Sequence, residues 1–189
     1  MAQKRLIPLG SDTASTPTEG MRKAMAEAQV GDEQKREDPS VNALCARVSE
    51  LLGQEDALFL PSGLMCNLVG VKADTVPGDL VFAESMSHVI RAESAGAGLA
   101  SGVLIEAIPT ETGVFTAEDL LAALEESRSA PYPYAAPARL VCLEQSHNFG
   151  GGTVWSLAET KAIIEIAKQE GLATHLDGAR LLNATTALG

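Results

Sequence analysis

Met21, Ala24, Met25 and Ala28 recur at the spacing of one helix face, and Thr16-Pro17-Thr18-Glu19 just ahead of them reads as a capping box with Pro at the first helical position. A second helix opens at Asp38-Pro39, carries Val41, Leu44, Cys45, Val48, Leu51 and Leu52 at helical spacing, and stops at Gly53, which suits a left-handed C-terminal cap. The rhythm then changes. Ala57 to Leu60 is a short apolar run that reads as a strand, broken by Pro61-Ser62-Gly63, with a helical pattern resuming from Met65. Beyond it, strands are expected over Leu80 to Ala83, Val103 to Ile108, Leu140 to Leu143 and Leu172 to Leu176. Between them fall helices over His88 to Leu99, from Thr116 to Glu126, and from the capping box Ser156-Leu157-Ala158-Glu159 to Gly171. A loop with Pro131-Tyr132-Pro133-Tyr134 precedes the Leu140 strand. Strands alternating with helices predict an α/β fold, a mostly parallel sheet covered on both faces in three αβα layers.

Composition narrows the partners. With 189 residues and 46% apolar content the chain can bury one sizeable core. A formal charge of −11 and a pI near 4.7 argue against nucleic acid and anionic membrane surfaces, which need clustered Lys or Arg. The apolar stretch of Leu6, Ile7 and Leu9 is too short and broken for a signal-peptide core, and no run reaches membrane-spanning length. Cys45, Cys66 and Cys142 lack metal-ligand spacing and sit among apolar neighbours, as buried thiols in a reducing cytoplasm would; no metal site is expected.

Ligands of open α/β sheets bind beyond the carboxyl ends of the strands, and three stretches fall there. Pro61-Ser62-Gly63-Leu64 feeds a helix N-terminus suited to an anion such as phosphate, or merely caps its helix. Ser87-His88, with Glu93 a turn further on, offers a flat titratable ring to a planar cofactor or a proton, or a structural histidine. His175-Leu176-Asp177-Gly178-Ala179-Arg180 puts a carboxylate at a strand end, where it can keep a heterocyclic nitrogen protonated as a pyridoxal ring requires. Arg180 is then placed to grip a carboxylate or phenolate; the alternative is a plain salt bridge starting a helix.

Seven stretches in order resemble the threonine aldolases, a branch of the aspartate-aminotransferase-like pyridoxal-phosphate enzymes adjoining the β-eliminating lyases. They are Ser11-Asp12-Thr13, Val30-Gly31-Asp32, Glu37 through Asn42, Pro61-Ser62-Gly63, Ser87-His88, Glu144 through Asn148 with Gly150 through Val154, and His175 through Arg180 with Asn183. The resemblance implies fold-type I, with the chain comprising, over residues 1–189, an N-terminal segment and most of the large cofactor domain, and with the C-terminal small domain absent. It implies pyridoxal 5′-phosphate as cofactor. Ser62, Gly63 and the Leu64 backbone would hold its phosphate, His88 would stack on its ring, and Asp177 would pair with its nitrogen. Arg180 would contact the phenolic oxygen and substrate carboxylate, aided by Ser11, and His88 or a water it orients would accept a proton. The implied reaction cleaves the Cα–Cβ bond of a small β-hydroxy-α-amino acid, threonine giving glycine and acetaldehyde.

The chain departs from the family pattern at Lys35-Arg36, where Tyr-Gly is common, at Leu64 in place of Thr, and within Pro133-Tyr134, where a histidine is often found. The Schiff-base lysine of such enzymes is expected beyond Gly189. Lys161 and Lys168 suit a solvated helix face, and Lys4, Lys23, Lys35 and Lys72 match no family lysine. The expectation is therefore an aldolase given in part, inactive alone. The alternatives are a non-catalytic fragment or assembly protein keeping the fold, or a lyase on the same fold. The resemblance also implies a dimer or tetramer at full length, and apolar surface exposed on a lone half.

Overall fold

A computed structural model describes residues 9–131 and 133–189, so Leu6, Ile7, Lys4 and Tyr132 lie outside the described residues. It divides into two units, Met1–Phe59 and Leu60–Gly189.

The first unit carries helices α1 (Glu19–Glu27) and α2 (Pro39–Leu52), each preceded by a 3-10 turn. The α2 ends follow the sequence rules. Asp38 Oδ1 accepts the N–H groups of Ser40 and Val41, Pro39 occupies the first turn, and Gly53 closes the helix at φ 64°. The Gly31 N–H donates to the other oxygen, Asp38 Oδ2, at 3.0 Å, and these backbone donors, Val41 first and then Gly31, hold the Asp38 carboxyl below its ordinary value. At α1 the expected cap shifts by two residues. Thr18 rather than Thr16 caps the helix, its hydroxyl accepting the Met21 N–H at 3.2 Å, and Pro17 precedes the helix instead of opening it. Thr16 has Glu19 at the capping-box spacing and Thr18 has only Met21, so the helix is capped by one hydroxyl bond rather than by the reciprocal pair that the sequence suggested.

In the second unit, strands β1 (Leu80–Glu84), β2 (Leu104–Ile108), β3 (Ala138–Glu144) and β4 (Ala173–Asp177) form one sheet in the order β2-β1-β3-β4, parallel throughout. Helix α3 (Gly63–Asp74) leads in, α4 (His88–Arg91) and α5 (Gly96–Ser101) join β1 to β2, and α6 (Ala117–Ser127) joins β2 to β3. Helix α7 (Leu157–Glu170) joins β3 to β4, and α8 (Leu181–Leu188) follows. Alternation within the strands divides the core in two. Leu80, Phe82, Val141 and Leu143 pack with Leu120, Leu124, Ile163 and Ala167 of α6 and α7. Val81, Ala83, Leu140 and Cys142 pack on the opposite face with Val71, Val89 and Ala97 of α3 to α5. The three αβα layers follow directly. Phe115 and Trp155 meet edge to face in the first cluster, centroids 5.0 Å apart.

Three expectations are corrected. Ala57 to Leu60 forms no strand; a four-residue apolar run needs a ladder partner and has none among the described residues, with Leu58 and Phe59 exposed. The helix expected over His88 to Leu99 breaks into α4 and α5, because Ser94 and Ala95 adopt φ 51° and 59°. Of the cysteines only Cys142 is buried; Cys45 is half-buried and Cys66 exposed, on a helix face that apolar neighbours in sequence do not define. Beside β4 an apolar cleft of about 530 Å³ is lined by Leu143, Trp155, Leu176, Leu181 and Leu188.

Candidate active site

The chain leaves β1 for one side of the sheet and reaches β3 on the other, so the carboxyl ends of these strands flank a topological switch point. Four side chains converge there and at the neighbouring end of β4. Asn67 of α3 is buried, and its Nδ2 donates to Glu93 Oε1 at 2.7 Å and to Asp177 Oδ2 at 2.8 Å. His88 Nδ1 lies 2.9 Å from the same Glu93 oxygen. Glu93 is 1% exposed and His88 35%, so the carboxylate is sealed beneath a ring that still faces the opening.

Asp177 ends β4. Its Oδ1 accepts the Ala179 N–H at 3.1 Å, and its carbonyl accepts from Gln145 N at 2.8 Å. Arg180 stands three residues on, at the N-terminal end of α8, its N–H donating to Gln145 O at 3.1 Å. The turn carrying Asp177 and Arg180 is thus tied to the end of β3.

Ser62 caps α3, its hydroxyl accepting from Met65 N at 3.2 Å and its carbonyl from Cys66 N at 3.1 Å. The first N–H groups of the helix, on Gly63 and Leu64, have no acceptor within it. Asn67 lies four residues beyond Gly63, so this positive helix end stands about 6 Å along the axis from the Asn67 backbone. Space around Gly63 is open, with nothing within 4 Å of where a Cβ would project. Ser11 belongs to the first unit, where its hydroxyl accepts from Thr13 N and caps a 3-10 turn.

Beneath His88 a second polar layer joins β1 to β3. Glu144 Oε2 accepts the backbone N–H of His88 at 2.7 Å and its Oε1 that of Asn148 at 2.8 Å. Glu84 accepts from Met86 N and from the hydroxyl of Thr110. Buried His147 lies between the two, Nε2 standing 2.9 Å from Glu84 Oε2 and 4.0 Å from Glu144 Oε2, close in distance though poorly aligned for a hydrogen bond. Gly150 N donates to its Nδ1, so the ring proton is on Nε2.

Sequence reasoning placed His88 shortly after a strand, Glu93 a turn further along and Asp177 at a strand end, and the structure brings those three together. Asn67, Glu84 and Glu144, which the structure also places around the candidate site, were not singled out. Asn67 had one signal, a lone amide within the apolar run Met65 to Val71, and Glu144 lay in a quoted motif without a role. Ligand-type atoms of His88, Glu93 and Asp177 lie within 4.8 Å of one another, a geometry open to a cation as well as to a protonated ring nitrogen. Asn67 already bridges the two carboxylates, which favours a ring nitrogen approaching Asp177 from the open side. The residues fit a phosphorylated pyridine: an anion-binding helix end, a buried-side carboxylate, a half-exposed imidazole, and the buried Ser87 hydroxyl, which finds no partner among the described residues.

A parallel αβα sheet with polar side chains gathered at its switch point defines an open α/β fold of the ligand-binding class. The chain belongs to the beta-eliminating lyase family, which matches it over residues 8–189. It is 37% identical over 188 residues to low-specificity L-threonine aldolase 1 of Arabidopsis thaliana, covering 98% of this chain and 52% of the relative. It is 33% identical over 184 residues to the low specificity L-threonine aldolase of Escherichia coli strain K12, covering 97% and 54%. The solved threonine aldolase of Leishmania major superposes with a TM-score of 0.65 at 28% identity, over 72% of this chain and 39% of that one. A structure described as SPT with PLP shares the fold at a TM-score of 0.59 and 19% identity, over 82% and 36%. The chain therefore spans about half the length of the curated relatives it matches. Among the described residues no helix is long and apolar enough to cross a membrane.

Proposed function

We propose that this chain supplies the ring- and phosphate-binding part of a pyridoxal-phosphate site, in a protein that cleaves β-hydroxy-α-amino acids such as threonine to glycine and an aldehyde. The observation that carries the reading is the placement of Asp177 and the His88–Glu93 pair around one amide, beside the open N-terminus of α3. When bound, the cofactor supplies an electron sink for the pair released at Cα.

The residues do the rest. Asp177 keeps the ring nitrogen protonated by a charge-assisted hydrogen bond. The Gly63 and Leu64 N–H groups, with Ser62, bind the phosphate at the positive end of a twelve-residue helix. His88 covers the ring. Glu93 is an acceptor, so the proton of neutral His88 sits on Nδ1 and the lone pair on Nε2, where it accepts the β-hydroxyl proton as the Cα–Cβ bond breaks. Arg180 grips the substrate carboxylate by its planar fork. We place the Schiff-base lysine outside residues 1–189, and the whole protein in the cytoplasm as a homo-oligomer.

The test is product analysis of the whole protein with threonine, allo-threonine and phenylserine. Glycine and the matching aldehyde are expected, with Asp177→Ala losing activity at least 100-fold. The family's description favours one competing reading, β-elimination, which would release ammonia and a 2-oxo acid and no glycine.

A further inference from the structure

Asn67 contacts more of the site than any residue assigned to it above. Its two amide hydrogens go to two different carboxylates, Glu93 Oε1 and Asp177 Oδ2, at 2.7 and 2.8 Å. Its oxygen lies 2.9 Å from His175 Nε2. Chemistry fixes the amide's direction: ionised carboxylates only accept, so the NH2 must face them and the oxygen must face His175. His175 must then carry its proton on Nε2. Glu93, holding one Asn67 hydrogen, also takes the Nδ1 proton of His88. One amide, 5% exposed, thus connects β4, α3 and the turn before α5.

We propose that Asn67 is the positioning residue that sets the protonation pattern of this site, fixing His175 as the Nε2–H tautomer and His88, through Glu93, as the Nδ1–H tautomer with Nε2 free. Each of the two amide hydrogens has its own carboxylate oxygen, so Glu93 and Asp177 are held at fixed distances from one donor group. Burial supports the His175 assignment, since it pushes that imidazole below its ordinary value, against the pull of Asp177, Asp74 and Glu93. Gly70, one turn along α3, leaves room for the His175 ring; a Cβ there would stand 2.7 Å from Cε1 and Nδ1.

This inference rests on the proposed function only for its purpose, because the tautomers belong to the chain without ligand. The sequence contains 3 histidines, so long-range proton–nitrogen NMR of the 189-residue chain resolves each ring. The wild type at pH 8 should show Nε2–H for His175 and Nδ1–H for His88. Asn67→Leu should mix both tautomers, and Asn67→Asp, of nearly identical shape, should disturb both while retaining the far-UV spectrum. Asn67→Gln, which keeps the amide, should restore part of the wild-type pattern. In a second readout, affinity for pyridoxine 5′-phosphate should fall at least 10-fold in Asn67→Asp. An Nε2–H tautomer for His88 in the wild type, or tautomers unchanged in a folded Asn67→Asp, would overturn the proposal. Absent ligand binding by a wild type with the expected tautomers would instead defeat the cofactor reading alone.

Discussion

Gly70 of α3 and His175 of β4 approach so closely that a Cβ on the glycine would lie 2.7 Å from two atoms of the imidazole. Alanine in a helix interior is ordinarily worth about 1 kcal/mol over glycine. Here it meets a ring pinned by Asn67 rather than a flexible chain end, and overpacking costs about 1–3 kcal/mol. The second effect wins, so Gly70→Ala should lower stability by about 1 kcal/mol in urea denaturation; a raised midpoint would show that the ring can yield.

The same histidine sets a pH response. Burial holds folded His175 below its unfolded value, so between the two values the unfolded chain binds the extra proton. Its contribution is therefore complete above about pH 6.5 and is lost as pH falls below that. Thermal midpoints measured from pH 7.5 to 5.5 should decline, and His175→Gln should flatten the decline. An identical slope in that variant would assign the effect to other groups.

Thiol chemistry separates the cysteines. Burial first, with Glu93, Asp177 and Asp74 adding to it, pushes the Cys142 thiol to about 12, while Cys66 is exposed. A disulfide reagent at pH 8 should modify Cys66 promptly and Cys142 only on unfolding. Fast modification of Cys142, identified by peptide mass, would mean that the sheet face between α3 and β3 opens readily.

Trp155 is the sole tryptophan and is 2% exposed against Phe115. Its emission should be blue-shifted and should report unfolding of the second unit. Phe115→Ala should cost about 3–5 kcal/mol, because a large cavity opens in a core closed by β1, β3, α6 and α7. A cost below about 1 kcal/mol would indicate a core that collapses around the gap.

What the sequence disclosed follows the range of the physics involved. The Asp38, Gly53, Ser156 and Gly171 helix ends were legible because a cap is made within four residues, and both hydrogen bonds of the Ser156 box are present. Strand positions were legible because burial on both faces leaves continuous apolar runs such as Leu140 to Leu143. The break at Ser94 and Ala95 was not, since left-handed backbone without glycine leaves no local mark. Nor was the role of Asn67, whose partners Asp177 and His175 are 110 and 108 residues away. Strand-end logic singled out His88 and Asp177 one at a time; only the folded sheet shows the amide that joins them.

The most direct test is a fluorescence titration of the 189-residue chain with pyridoxine 5′-phosphate, which has the ring and phosphate but no aldehyde to react with stray lysines. The account predicts saturable binding of one equivalent, weakened at least 10-fold by Asp177→Ala and unchanged by Lys161→Ala on the distant α7. Binding that is absent, or that is indifferent to Asp177, would contradict it.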